Sequence, residues 1–377
     1  MNSLGDDSPV LLYKAQGSDG SDNLAVSDFM LCLQTSTQRR FMIDFGNSHI
    51  VCLDSTRGTN QYDFTLVTVM VVDDFGEGNP VAFMISNRED EIALREFFTA
   101  IKSRLPQDVQ FSASHIMTDD AGQYFNAWQA VFGSAEKKLC TWHLDRSWRR
   151  GVKQHVSNAV LQLEVYHMLR TLLQELNSDD FEKNLSVFMQ HIQSVAPTFA
   201  TYFRPYCNRK SEWAFCYRIG IQANTNMYVE SFHNVLKSAY MERKANRRVD
   251  SLVSILLKIA RDKVFERFIK VGKNTQSTKQ RSITQRHVIS LTRLPSMLNG
   301  AWIVPSSSTD GGSYLVFPAS ESCTCNLRCM TCQCCPHLYE CSCLDFAIHM
   351  TVCKHIHTIH HLRSSESGVE NVSNAWR

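Results

Sequence analysis

No stretch of this 377-residue chain is long and apolar enough to cross a bilayer. The longest apolar run, Thr65–Val72, falls far short of the roughly 20 residues that a spanning helix needs. The opening, MNSLGDDSPV, has acids where a secretory leader has bases, and no apolar core follows it. No internal repeat is visible. Net charge is nearly absent too, a formal +2, and by itself names no partner. These absences lead us to expect a soluble intracellular protein with no membrane contact. In its reducing compartment structural disulfides are rare.

Charge is missing from the sum but not from the distribution. Between Lys237 and Arg286 there are 14 Lys and Arg against 4 Asp and Glu, a net +10 that leaves −8 for the rest of the chain. Such a segment suits a local anionic partner, nucleic acid first, or else a solvated helix face. Cysteine is also concentrated. Of 14 cysteines, nine fall between Cys323 and Cys353, at 323, 325, 329, 332, 334, 335, 341, 343 and 353. A dense cluster beside histidines reads as metal ligands, because a disulfide framework would require export.

Residues 1–30 are polar and expected to be a loose tail. Residues 31–148 carry short apolar runs broken by turn residues: SHIVCLDST, YDFTLVTVMVVDDFGEGN and NPVAFMISN, with DDFGEGNP predicting a hairpin between the second and third. Apolar spacing in REDEIALREFFTAIKSRL predicts a helix; then come a strand in SASHIMTDD, a helix in GQYFNAWQAVFG and a short strand in KKLCTWH. This order predicts an α/β fold, an RNase H-like mixed sheet with helices on its faces. From 149 to 222 two stripes, Val165–Leu176 and Phe181–Val195, predict a helical insertion. Residues 223–270 read as a helix followed by a basic helical segment, 271–300 as a polar linker, 301–364 as a Cys-rich zinc-binding module, and 365–377 as a tail. The module begins with two strands around a Gly-Gly turn.

Tetrahedral zinc takes thiolate and imidazole ligands, and a structural site fills all four positions from the protein. Cys341 and Cys343 are spaced i, i+2, so on an extended arm they point the same way. Cys353 and His355 share that spacing, which works where a loop turns into a helix, and His357 competes as the i+4 neighbour of Cys353. The pattern Cys-x-Cys, nine residues, Cys-x-His resembles the SWIM zinc finger. That resemblance implies Cys341, Cys343, Cys353 and His355 as zinc ligands and leaves His357 out. Upstream, Cys325, Cys329, Cys332, Cys335 and His337 are enough for a second zinc site.

Acids stand where a sheet disfavours them. Asp54 closes HIVCLD and Asp119 follows HIM; each alone is an ordinary loop starter. Together, two carboxylates from neighbouring strands can converge on the divalent metals that clamp an in-line phosphoryl displacement. Glu230, in NTNMYVESFHNVLK, is the third, on a helix after an Asn/Thr-rich turn. Asp120 is an alternative to Asp119, and Asp73 and Asp74 read as turn residues. These motifs, with Cys140-x-x-His143 in LCTWHLDRSW, resemble the DDE core of Mutator-like element (MULE) transposases. A SWIM finger is the usual companion of that core.

The resemblance covers about 29–361 and implies two-metal DNA cleavage and strand transfer. It implies Asp54, Asp119 and Glu230 as ligands of Mg²⁺ or Mn²⁺, and Cys140 and His143 as positioning or structural residues. The implied partners are DNA and, through the zinc module, other proteins; oligomers are compatible with it. The implied place is the nucleus, for which the short basic run ERKANRR is the one candidate signal. We expect the 30 polar residues before the matching region to hold no separate DNA-binding domain, so that end recognition falls to the finger and to the basic stretch from Lys237, unless the chain is a fragment or a domesticated descendant. The alternative is a domesticated, non-catalytic DNA-binding regulator that keeps the fold, as the far-red-response transcription regulators of plants do.

Overall fold

The apolar runs of the first third become the middle of a seven-stranded mixed sheet. The computed structural model describes residues 8–19, 23–221, 223–245, 247–273, 275–288, 295–298, 300–306, 312–323 and 325–373. The chain divides into two units. One holds Met1–Asp73, Glu77–Arg150 and Asn224–Thr275, the other Asp74–Gly76, Gly151–Ala223 and Gln276–Arg377.

The first unit starts with β1 (Val10–Lys14) and β2 (Met30–Leu33), paired antiparallel. The loose tail expected for residues 1–30 is therefore in part an edge strand. Its VLLYK finds a ladder on β2, and the Lys14 ammonium donates to the Asp28 carbonyl at 3.1 Å. Residues 1–7 and 20–22 of that tail lie outside the described residues. Helix α1 (Ser36–Gly46) opens on a capping box between Thr35 and Gln38, which satisfies two N-terminal donors reciprocally. Then come β3 (Ile50–Thr56), β4 (Thr65–Val72) and β5 (Gly78–Ser86) as an antiparallel meander. Asp90 caps α2 (Glu91–Ser103) by accepting from the Ile92 and Ala93 amides. Strand β6 (His115–Thr118), helix α3 (Gly122–Phe132) and strand β7 (Glu136–Leu139) follow, and α4 (Thr141–His155) begins in this unit.

The sheet order is β1-β2-β5-β4-β3-β6-β7, with β6 parallel to β3 and β7 parallel to β6. The expected RNase H-like mixed sheet is what forms. Every residue of β4 is buried, the mark of a strand covered on both faces. Against one face pack Leu94, Phe97 and Phe98 of α2 and Trp128 of α3, with Phe98 edge-on to Trp128 at 5.2 Å.

In the second unit, α5 (Ala159–Gln174), α6 (Ser178–Val195) and α7 (Pro197–Asn208) form the helical insertion. The stripes bury through Val165, Leu169, Leu172 and Leu173, and through Phe181, Leu185, Phe188 and Ile192, while Val195 at the end of the second is exposed. Pro197 ends the second stripe by opening α7 at a first-turn position, where it has no amide to lose.

The chain then returns to the first unit with α8 (Met227–Val235) and α9 (Val249–Gly272). Gly78 has no space for a side chain: a Cβ there meets Met70 Sδ at 2.8 Å and Tyr228 Cβ at 2.9 Å, so α8 lies tight on β4 and β5.

Back in the second unit, the segment expected as a polar linker contains helix α10 (Thr278–Val288). The Ser277 hydroxyl accepts from the Gln280 amide at 3.1 Å while the Gln280 side chain accepts from the Ser277 amide at 2.8 Å. This second capping box starts a helix with little apolar spacing of its own. Strands β8 (Ser296–Leu298), β9 (Ala301–Pro305), β10 (Ser313–Pro318) and β11 (Tyr339–Cys341) form an antiparallel sheet. Residues 307–311, which include part of the expected Gly-Gly turn, lie outside the described residues. Helix α11 (Leu344–His349) and helix α12 (Lys354–Ser373) close the chain. Cysteines supply much of this small core, alongside Ile283, Val304, Val316 and Phe346. Among the described residues no helix is long and apolar enough to cross a membrane.

Candidate functional site

Parallel pairing puts Cys52 of β3 opposite Met117 of β6. Two residues further along each strand direction, Asp54 and Asp119 reach the same level of the sheet. Asp54 is largely enclosed, and its carboxyl is pushed up to about 7. Burial is the main cause, followed by repulsion from Asp119, Glu230 and Glu89, against one favourable contact, the Ser55 amide donating to Oδ1 at 2.9 Å. Acids packed this closely favour a bound cation. Asp120 is exposed, and the carboxylate acting on Asp54 is that of Asp119, which also accepts from the Ala121 amide at 3.0 Å. Asp73 serves structure: it accepts from Arg267 at 3.2 Å and from Asn79 at 3.0 Å.

Glu230 stands in the first turn of α8. Just before that helix, Asn226 Nδ2 donates to the Leu53 carbonyl at 2.9 Å, tying the start of α8 to the residue that precedes Asp54. Glu230 Oε1 also lies 3.8 Å from His143 Nε2 and 4.0 Å from Cys140 Sγ. The Asn226 amide donates to that sulfur at 3.2 Å, and burial pushes the Cys140 thiol up. The ligand atoms of Cys140, His143 and Glu230 all lie within 4.8 Å of one another. Glu230 thus acts on the Asp54 carboxyl and also stands beside Cys140 and His143.

Sequence reasoning missed Glu89, which sits in the run NREDE and looks like surface charge. It accepts from the Ser55 hydroxyl at 2.6 Å and from the Tyr124 hydroxyl, so it is held facing the site. Beyond the end of β3 lies an open cleft of about 330 Å³, lined by Arg57, Lys237, Arg243 and Lys244. Lys237, the first residue of the basic stretch, is fixed there by donating to the Thr56 hydroxyl at 2.6 Å.

Among the described residues, the second unit gathers three clusters of cysteine and histidine. In each, the four ligand atoms lie within 4.8 Å of one another. The first is Cys341, Cys343, Cys353 and His355, all buried. Ser342 between the first pair is exposed, so alternation turns both thiols inward. Cys353 stands just before α12 and His355 in its first turn, with Nδ1 at 3.6 Å from Cys341 Sγ and 3.7 Å from Cys353 Sγ. Zinc bond lengths near 2.3 Å to sulfur and 2.0–2.1 Å to nitrogen imply a sulfur–nitrogen edge of about 3.6 Å in a tetrahedron.

The five residues expected to share a second site do not share one. Cys325, Cys335 and His337 join Cys323, with Cys323 Sγ 3.4 Å from His337 Nδ1. Cys329 and Cys332 join His287 and His357, with Cys332 Sγ 3.4 Å from His357 Nδ1. A signal for the first of these lay in the sequence. Cys323-x-Cys325, nine residues, Cys335-x-His337 has the spacing of Cys341-x-Cys343, nine residues, Cys353-x-His355. The ligand spacing repeats although the residues between do not, so the expectation of no internal repeat fails at this one place. His357 does join a cluster, but not the one for which its i+4 spacing made it a competitor. His287 carried no signal, lying in a segment read as linker. These donor sets of thiol and imidazole can hold zinc.

Residues 50–147 match the family model of the MULE transposase domain. The match runs from β3 into α4 and includes Asp54, Asp119, Cys140 and His143. Glu230 and the cysteine clusters lie beyond it. No curated protein matches the chain.

Proposed function

We propose that this chain processes DNA in the manner of a MULE-type DDE transposase, by two-metal cleavage and strand transfer, with a SWIM-type finger and further zinc in its C-terminal module. The observation that carries this reading is the gathering of Asp119, Glu230 and Glu89 about the enclosed Asp54, whose carboxyl is pushed up to about 7 by burial and by their repulsion. An all-oxygen donor set of this kind fits Mg²⁺ or Mn²⁺. Bound there, two such ions supply Lewis acidity and a clamp on both oxygens of an in-line phosphoryl displacement.

The chain's own residues have separable tasks. Asp54, Asp119 and Glu230 hold the cations. Asn226 fixes α8 so that Glu230 faces β3, and Ser55 and Tyr124 orient Glu89. Arg57, Lys237, Arg243 and Lys244 receive backbone phosphates and bring the scissile strand to the carboxylates. Work on DNA sets the protein in the nucleus. Its test is Mn²⁺-dependent nicking and joining of plasmid DNA by zinc-loaded protein, wild type beside Asp54→Ala. We expect the variant to lose more activity than the roughly 10–100-fold that loss of a supporting residue costs. Equal activity in the two proteins refutes the reading.

One observation favours a second reading. The sheet unit also brings Cys140, His143 and Glu230 together, a sulfur–nitrogen–oxygen trio suited to zinc. A zinc ion held there would take Glu230 from the carboxylates and leave a DNA-binding regulator without cleavage. That protein would bind DNA in a salt-sensitive way, nick none, and bind as well with Asp54→Ala as without it.

A further inference from the structure

We propose that His287, Cys329, Cys332 and His357 bind a zinc ion of their own, the third in the C-terminal module, and that this ion fastens α10 to the finger. Four observations converge on it. The four ligand atoms lie within 4.8 Å of one another and share no residue with the other two clusters. Cys332 Sγ stands 3.4 Å from His357 Nδ1, close to the edge of about 3.6 Å that zinc geometry requires.

The tautomer of His357 is set for ligation. Its Nε2–H donates to the Ile283 carbonyl at 2.9 Å, which leaves the lone pair on Nδ1, the atom facing the thiol. Backbone carbonyls commonly orient metal-binding imidazoles in this way. Finally, His287 Nδ1 is buried with no hydrogen-bond partner, a costly state for an imidazole nitrogen unless something else binds it.

The cysteine loop is shaped for the task as well. Cys329 and Cys332 have the C-x-x-C spacing of a zinc knuckle, on a tight turn closed by the Cys329 amide donating to the Cys334 carbonyl at 2.9 Å. Two thiolates and two neutral imidazoles balance the charge of one Zn²⁺, which the Cys₃His sites, with three thiolates, exceed by one. The ion is also a topological device. His287 is the last turn of α10, His357 the first turn of α12, and the cysteines come from the loop between β10 and β11. Three segments far apart in sequence meet at one atom. Direct contacts run alongside it: Arg286 makes a two-point ion pair with Asp345 at 2.9 and 3.0 Å, and the Met330 amide donates to the Thr284 hydroxyl at 3.2 Å.

The test uses the full chain. Zinc per protein is measured by mass spectrometry of the metal after dialysis, for the wild type, His287→Ala and His287→Cys. The cobalt-exchanged forms are then compared by their thiolate-to-metal absorption. We expect His287→Ala to lose one equivalent of zinc. His287→Cys should keep it and gain absorption in the cobalt form, because a ninth thiolate joins eight. Retention of the full zinc content by His287→Ala overturns the proposal. If His287→Ala loses all its zinc by collapse, His287→Cys decides: a full complement with stronger thiolate absorption supports the third site, and a shortfall refutes it.

Discussion

Two buried groups in the sheet unit, Asp54 and His233, are tuned by burial more than by partners. His233 on α8 is buried, and its ring is held down to about 3, mainly by desolvation with a smaller push from Lys237. It stays neutral beside Thr68, 3.0 Å from Nε2 to the hydroxyl. The unfolded chain takes up a proton near pH 6.5 and the folded one does not. Stability from this group is therefore complete above the unfolded value and falls as pH drops from 6.5 toward 3, by at most about 1.4 kcal/mol per pH unit. Denaturant midpoints at several pH values should show that slope flattened in His233→Asn; an unchanged slope contradicts the assignment. At Glu89, Tyr124→Phe removes one of two hydroxyl donors, and equilibrium unfolding should register a loss of about 1 kcal/mol. The two aspartates were legible because a carboxylate at the end of an apolar strand is conspicuous. Glu89 was not, because nothing local separates one acid in NREDE from its neighbours; only Ser55 and Tyr124, distant in sequence, single it out.

Whole elements show the same division. The β4–β5 hairpin could be read because its turn chemistry and its two short apolar runs are both local. Strand β1 escaped notice because five residues in a polar stretch become a strand only by pairing with β2. Helix α10 escaped because, among the described residues, its one fully buried apolar residue is Ile283, and its other anchors are residues of the cysteine loop, α11 and α12. Helix α8 depends on an absence of side chain: Gly78→Ala pushes a methyl against Tyr228 Cβ at 2.9 Å. The expected cost is about 1–3 kcal/mol, seen as a lower unfolding midpoint. DNA nicking should fall with it, because the displaced helix carries Glu230. A variant of normal stability and activity would show that α8 can shift without consequence.

At the scale of the molecule, the two units rest on different physics. The sheet has an extensive apolar core from β2 through α3, whereas cysteines make up five of the fourteen buried residues in the core of the C-terminal module. Structural zinc is worth roughly 10–16 kcal/mol in small finger peptides, so the module should depend on it. Hydrogen exchange after strong chelation should show residues 301–364 losing protection while the amides of β3, β4 and β6 keep theirs. Simultaneous loss in both would mean that the sheet also depends on metal. The division of eight cysteines among three clusters has one more outcome, in the isoelectric balance. Filling all three sites replaces eight thiol protons with three divalent ions, a change of −2, against a formal +2 for the metal-free chain. The loaded protein then sits near neutrality at physiological pH, with its acids and bases segregated. Metal supply would thereby set how readily one copy repels another.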